Sequence, residues 1–153
     1  MTEAIRVLTA EHADMIKLIG ALEHQLGIFA DGGSPDYDVI EGVIDYCLDY
    51  PDQCHHPKED IVYALLVTRN PEAARAVGNL EQQHVALAAL TQDLDDAIRS
   101  LRADDEIPRD RLMDLAQRFI ESYRSHIEME QSIFFPSALA SFKIGRASCR
   151  ERV

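Results

Sequence analysis

His55-His56-Pro57-Lys58-Glu59-Asp60 decides how the rest of the chain is read. Two histidines are followed, one helical turn later, by two carboxylates. Residues four apart share one face of a helix, so His55 stacks with Glu59 and His56 with Asp60. The figure returns in His126-Ile127-Glu128-Met129-Glu130, where His126 stacks with Glu130. Three of the six histidines have an acid four residues on, where 27 acids in 153 residues would supply about one by chance. Buried charged groups need a partner or a metal. Two such units in a small helical chain therefore point to a metal site built from facing helices.

The segments around these motifs carry helical periodicity. Leu8, Met15, Ile16, Ile19, Leu22 and Leu26 define a first helix over about Thr2 to Ala30, capped by Thr2 or Thr9. His12 lies on this stripe. His24, twelve residues further and turned by roughly 120°, falls on the surface or rim. A second helix runs from about Asp36 towards Arg69 on Val39, Ile40, Val43, Ile44 and Cys47-Leu48. Pro51 and Pro57 interrupt it, and a kink or break is expected between Tyr50 and Pro57. A third helix is expected from Pro71 to Arg102, with Val77, Leu80, His84, Leu87, Leu90, Leu94 and Ile98 inward. A fourth is expected from Pro108 to Leu139 after the polar loop at Asp104-Asp105-Glu106, with Pro136 near its end. No stretch has strand period. Four amphipathic helices with short connections predict an all-α, antiparallel up-down four-helix bundle whose second helix is kinked near Pro51–Pro57. His12, His55, His84 and His126 then stand on four different helices.

Composition bounds the function. The length suits one domain that needs no disulfide staple. A formal net charge of −12 argues against nucleic acid as a partner. No apolar run reaches the roughly 18 residues of a membrane span, and the N-terminus carries no signal-peptide pattern, so the cytoplasm is the expected location. Cys47, Cys54 and Cys149 form no disulfide framework, and Cys47 and Cys54 are expected to be reduced packing residues. The segment Ile144-Gly-Arg-Ala-Ser-Cys-Arg-Glu-Arg-Val153 has three Arg and no periodicity. It reads like one frame of a DNA-sequencing adapter, so the domain is expected to span 1–143 and residues 144–153 to be a non-native tail. The same codons in intact genomic DNA would refute that reading.

Ligand type narrows the metal. Imidazole with carboxylate suits iron, manganese or zinc, and the lack of cysteine ligands weakens a structural zinc site. Carboxylates from opposed helices can bridge two cations while histidines fill the outer positions. The paired Glu-x-x-His signature of ferritin-like bundles is matched only by Glu81-x-x-His84.

These motifs resemble the hemerythrin-like, or HHE cation-binding, domain. The resemblance rests on Glu11-His12, His55-His56-Pro-Lys-Glu59-Asp60, Glu81-Gln-Gln-His84, and His126-x-x-x-Glu130 followed by Phe134-Phe135-Pro136, and covers roughly residues 5–142. It implies a non-haem di-iron centre with His12, His55, His84 and His126 as terminal ligands and Glu59 and Glu130 bridging. His56 with Asp60 is the alternative register. His55 with Glu59 is preferred, because His55, Glu59 and Tyr63 then align with His126, Glu130 and Phe134. His56 remains a further ligand or supporting donor. Oxygen-carrying members place a second histidine one turn from the first on helix three. Here those positions are Leu80 and Ala88, so an open coordination position is expected. The implied function is binding or sensing of O₂, NO or iron status. The alternatives are peroxide reduction or iron–sulfur repair, and a metal-free helical interaction module. Nothing in the sequence specifies a protein partner.

Overall fold

The computed structural model describes residues 3–103 and 107–148, with side chains through residue 142. Its helices are α1 (Glu3–Ala30), α2 (Tyr37–Tyr50), α3 (His56–Arg69), α4 (Pro71–Val77), α5 (Leu80–Arg102), α6 (Arg109–Met129) and α7 (Phe135–Ser148). One π-turn, Pro51–His55, joins α2 to α3, and another, Glu130–Phe134, joins α6 to α7. No strand occurs among the described residues. The π-turns make continuous rods of α2–α3 and α6–α7, so the helices group into the expected four-helix bundle. α1 packs on α2, α2 on α5, α5 on α6, and α6 back on α1.

The expected kink is a widened turn, not a break. His56 N–H donates to Pro51 C=O, five residues back, and Phe135 N–H donates likewise to Glu130 C=O. Each π-turn ends two residues before a proline, Pro57 or Pro136. A proline has no N–H to give and its ring crowds the carbonyl four residues back. Widening the preceding turn accommodates that crowding and lets the helix continue. Pro136 therefore does not end the last helix, which runs on to Ser148.

Other expectations are corrected. The third helix divides in two. Gly78, at φ 83°, closes α4, and the Asn79 side chain accepts from Gln82 N–H at 3.1 Å to cap α5. Thr9 is inside α1, its hydroxyl donating to Ile5 C=O at 2.8 Å, and caps nothing; Thr2 lies outside the described residues. Ile16 is 43% exposed, off the buried stripe. Cys47 is buried as expected, but Cys54 is exposed on the π-turn. His24 is exposed, as its phase predicted. The last helix extends to Ser148, past its expected end near Leu139. Residues 149–153, with Cys149, and residues 104–106 lie outside the described residues.

The core has two apolar layers. One contains Ile19, Leu22, Ile44, Cys47, Leu87, Phe119 and Tyr123. The other contains Ile5, Leu8, Leu66, Leu80, Phe134 and Phe135. On each of the four rods the histidines fall between these layers. His12 follows Leu8 and precedes Met15, His84 sits between Leu80 and Leu87, and His126 sits between Tyr123 and Phe134. The polar residues thus share one level of the bundle, walled above and below by hydrocarbon. No helix among the described residues is long and apolar enough to cross a membrane.

Candidate metal centre

Seven side chains meet at that level: His12, His55, His56, Glu59, His84, His126 and Glu130. None is more than 7% exposed. The adjacent pair His55-His56 points inward twice because consecutive helical residues differ by about 100° and their rod has a neighbour on each side. His55 turns towards α1, its Nε2 3.0 Å from His12 Nε2. His56 turns towards α5, its ring stacked on His84 with centroids 4.0 Å apart.

The two carboxylates divide their oxygens between two imidazole groups. Glu59 Oε1 lies 3.0 Å from His55 Nε2 and 3.4 Å from His12 Nε2, while Oε2 lies 3.4 Å from His84 Nε2. Glu130 Oε2 lies 3.2 Å from His12 Nε2, while Oε1 lies 3.1 Å from His126 Nε2 and 3.5 Å from His84 Nε2. Two sets of candidate ligand atoms result, each within 4.8 Å: His12, His55, Glu59 and Glu130, and His56, Glu59, His84 and His126.

The residues fit metal ions better than they fit one another. Both oxygens of Glu59, both of Glu130, His84 Nε2 and His126 Nε2 are buried without a hydrogen bond. Their close approaches lack hydrogen-bond alignment, so their lone pairs converge on shared space. Unsatisfied groups of this kind are costly in a hydrocarbon core unless a ligand completes them.

The outer ring nitrogens are anchored. His55 Nδ1 pairs with Glu11 Oε2 at 2.7 Å, His56 Nδ1 with Asp52 Oδ1 at 3.1 Å, and His84 Nδ1 with Asp60 Oδ1 at 3.0 Å. His126 Nδ1 pairs with Gln83 Oε1 at 3.2 Å. Such partners fix the tautomer that leaves Nε2 free for a metal. Glu11 is itself held by the Tyr50 hydroxyl at 2.7 Å and Lys58 Nζ at 2.9 Å. His12 instead lies flat against Phe135, ring centroids 5.3 Å apart.

Charge follows the same plan. Burial pushes the Glu59 carboxyl up, but the surrounding imidazoles of His12, His55 and His84 outweigh it and hold it well below the usual carboxylate range. Glu130 is likewise burdened by burial, yet His12, His126 and His84 hold it at about 2. Burial lowers His12 and His84, but Glu130 and Glu59 drive each up to about 9. His56 is lowered, chiefly by burial. In the metal-free protein the two buried carboxylates are thus balanced by protons on His12 and His84.

All seven residues named from the sequence come together. His55 with Glu59 and His126 with Glu130 approach as expected, at 3.0 and 3.1 Å, and only the stacking of His56 on Asp60 fails. His56 binds Asp52, one turn before it, and Asp60 turns to the rim to hold His84. Glu81 is exposed and outside the cluster. Leu80 and Ala88 supply no ligand atom beside His84, as their side chains require, and His56 brings a third imidazole to the group of His84 and His126. Asp60, read from the sequence as an alternative ligand with His56, is an outer partner of His84 instead, and the outer partners Asp52 and Gln83 escape the sequence reading. Asp52 could have been found from its i, i+4 spacing to His56; Gln83 carries no such signal.

The hemerythrin HHE cation-binding domain model matches residues 3–138. The chain belongs to the hemerythrin HHE cation-binding family. Neither a curated protein nor a solved structure matched it. Cation binding is the family's named property, and this HHE domain supplies it with a His/Glu cluster inside a helical bundle.

Proposed function

We propose that this HHE domain holds a non-haem di-iron centre and binds or senses O₂ or NO, or reports iron status. The supporting observation is the division of the Glu59 and Glu130 oxygens between two imidazole groups, the arrangement expected of bridging carboxylates. His12 and His55 would hold one ion, and His56, His84 and His126 the other. Zinc or manganese would satisfy the same donors, and iron is favoured because mixed imidazole–carboxylate sets suit it. Bound ferrous iron would supply the electrons and the vacant coordination that a diatomic ligand needs.

The chain's own residues do the rest. Glu11, Asp52, Asp60 and Gln83 orient the imidazoles. Leu80, Leu87, Ile127 and Phe134 keep bulk water from the cluster. Lys58 holds the Glu11 carboxylate in place behind His55.

The test is to load the full chain with Fe²⁺ without oxygen, count iron per chain, and record absorption before and after air. Two irons with a change that reverses on degassing support binding or sensing. Two irons with irreversible oxidation move the assignment to peroxide reduction or other reactive chemistry. A folded chain that takes up no iron refutes the di-iron reading.

A further inference from the structure

The two imidazole groups differ in how they meet the solvent. His12 and His55 are 0% and 1% exposed, and Phe135 covers His12. His84 and His126 are 6% and 7% exposed. A groove of about 630 Å³ runs between α5 and α6 and reaches His126. Leu87 and Leu90 line it from α5, Ser122 and Ser125 from α6, with Gln83 beside His126.

They also differ in what stands behind the imidazoles. His55, His56 and His84 are each backed by a carboxylate. His126 alone of these four is backed by a neutral amide, that of Gln83. A carboxylate partner strengthens an imidazole as a ligand, while an amide orients it without adding charge. Gln83 is tethered in turn, its Nε2 donating to Val77 C=O at 3.4 Å across the α4–α5 break. The histidine next to the groove is therefore the one with the weakest electrostatic backing among the anchored four.

We propose that the two metal positions exchange their ions at unequal rates. The position bounded by His56, His84 and His126 exchanges its divalent cation through the α5–α6 groove. Gln83 is the positioning residue that sets the rate, acting through His126. The other position, behind Phe135, is kinetically closed. This inference rests on the two-metal reading above.

The test uses the full chain loaded with Co²⁺, whose visible bands report coordination, and follows its loss to excess EDTA. The expected result is two Co²⁺ per chain leaving in two phases at least about tenfold apart. Gln83→Glu should slow the fast phase about tenfold and Gln83→Ala should quicken it, with the slow phase unchanged in both. Leu90→Trp, which narrows the groove without touching a ligand, should slow the fast phase alone. Two Co²⁺ leaving in one phase would overturn the inference and leave the two-metal reading standing. So would a fast phase indifferent to the Gln83 and Leu90 substitutions. Fewer than two Co²⁺ in a folded chain would overturn both.

Discussion

Metal uptake should release protons, and the structure says how many. His12 and His84 stand at about 9 because Glu59 and Glu130 face them, against an ordinary imidazole value of 6.5. At pH 7 both are protonated in the metal-free protein, and both must lose the proton to ligate. Each belongs to a different ligand group, so each ion should displace about one proton. Below pH 9, apparent affinity should then fall about tenfold per pH unit for each ion. Between pH 9 and pH 7 that is about 100-fold, or about 3 kcal/mol. The metal-free fold should move the other way. Its folded-state pKa values lie above the unfolded value, so these protons stabilise it fully below about pH 6.5, and that contribution is lost as pH rises through about 9. The size is at most about 3 kcal/mol per imidazole, less jointly because the two share their carboxylates. The assay is calorimetric titration with Zn²⁺ in buffers of different protonation enthalpy, paired with thermal melts of the metal-free chain from pH 6 to 9. Proton release near zero at pH 7, together with a metal-free Tm that is flat or rising over that range, would refute the reasoning.

Single contacts give further expected outcomes. Glu59→Ala should abolish binding of both ions in metal analysis, whereas His12→Ala should spare the ion held by His56, His84 and His126, because only Glu59 and Glu130 face both groups. Phe119→Ala, at a fully buried ring in the larger layer, should cost about 3–5 kcal/mol in denaturant melts. Asn79→Ala removes the cap of α5 and should cost about 1 kcal/mol in the same melts. Gly78→Ala meets only ordinary contact with Gln83, so its loss, about 1 kcal/mol or more, should come from the backbone at φ 83°.

Much of the bundle and its site is legible in the residues alone. The inward stripes are a record of burial at 3.6-residue period, and His12, His84 and His126 sit on them, so bundle and cluster can be inferred together. Rotation past a proline is not legible. Periodicity assumes a constant pitch, and the turn before Pro57 does not keep it, so spacing cannot choose between His55 and His56, and both prove to be inside. The same blindness ends the last helix too early, at Leu139 just past Pro136, whereas it runs on to Ser148. Gly78-Asn79 escapes notice because hydrophobic period continues across it, from Val77 to Leu80, while the backbone does not. Gln83 is invisible for a different reason. Its role depends on which helix lies opposite, and pattern along one helix carries no information about its neighbour.

The two π-turns fix the length of the chain to the residue. Loops absorb insertions cheaply, since closing a slightly longer loop adds little entropy cost. A rod that passes through the centre has no such slack. Deleting one residue between Pro51 and His55 would favour an ordinary helical turn there and rotate α3 by about 100° against α2. Cys47 and Ile44 would keep their packing while Glu59 swung out of the cluster, or the reverse. Among descendants of this chain, gaps should therefore collect at Asp31–Pro35 and be missing from Pro51–Pro57 and Glu130–Pro136, whatever happens to the side chains between.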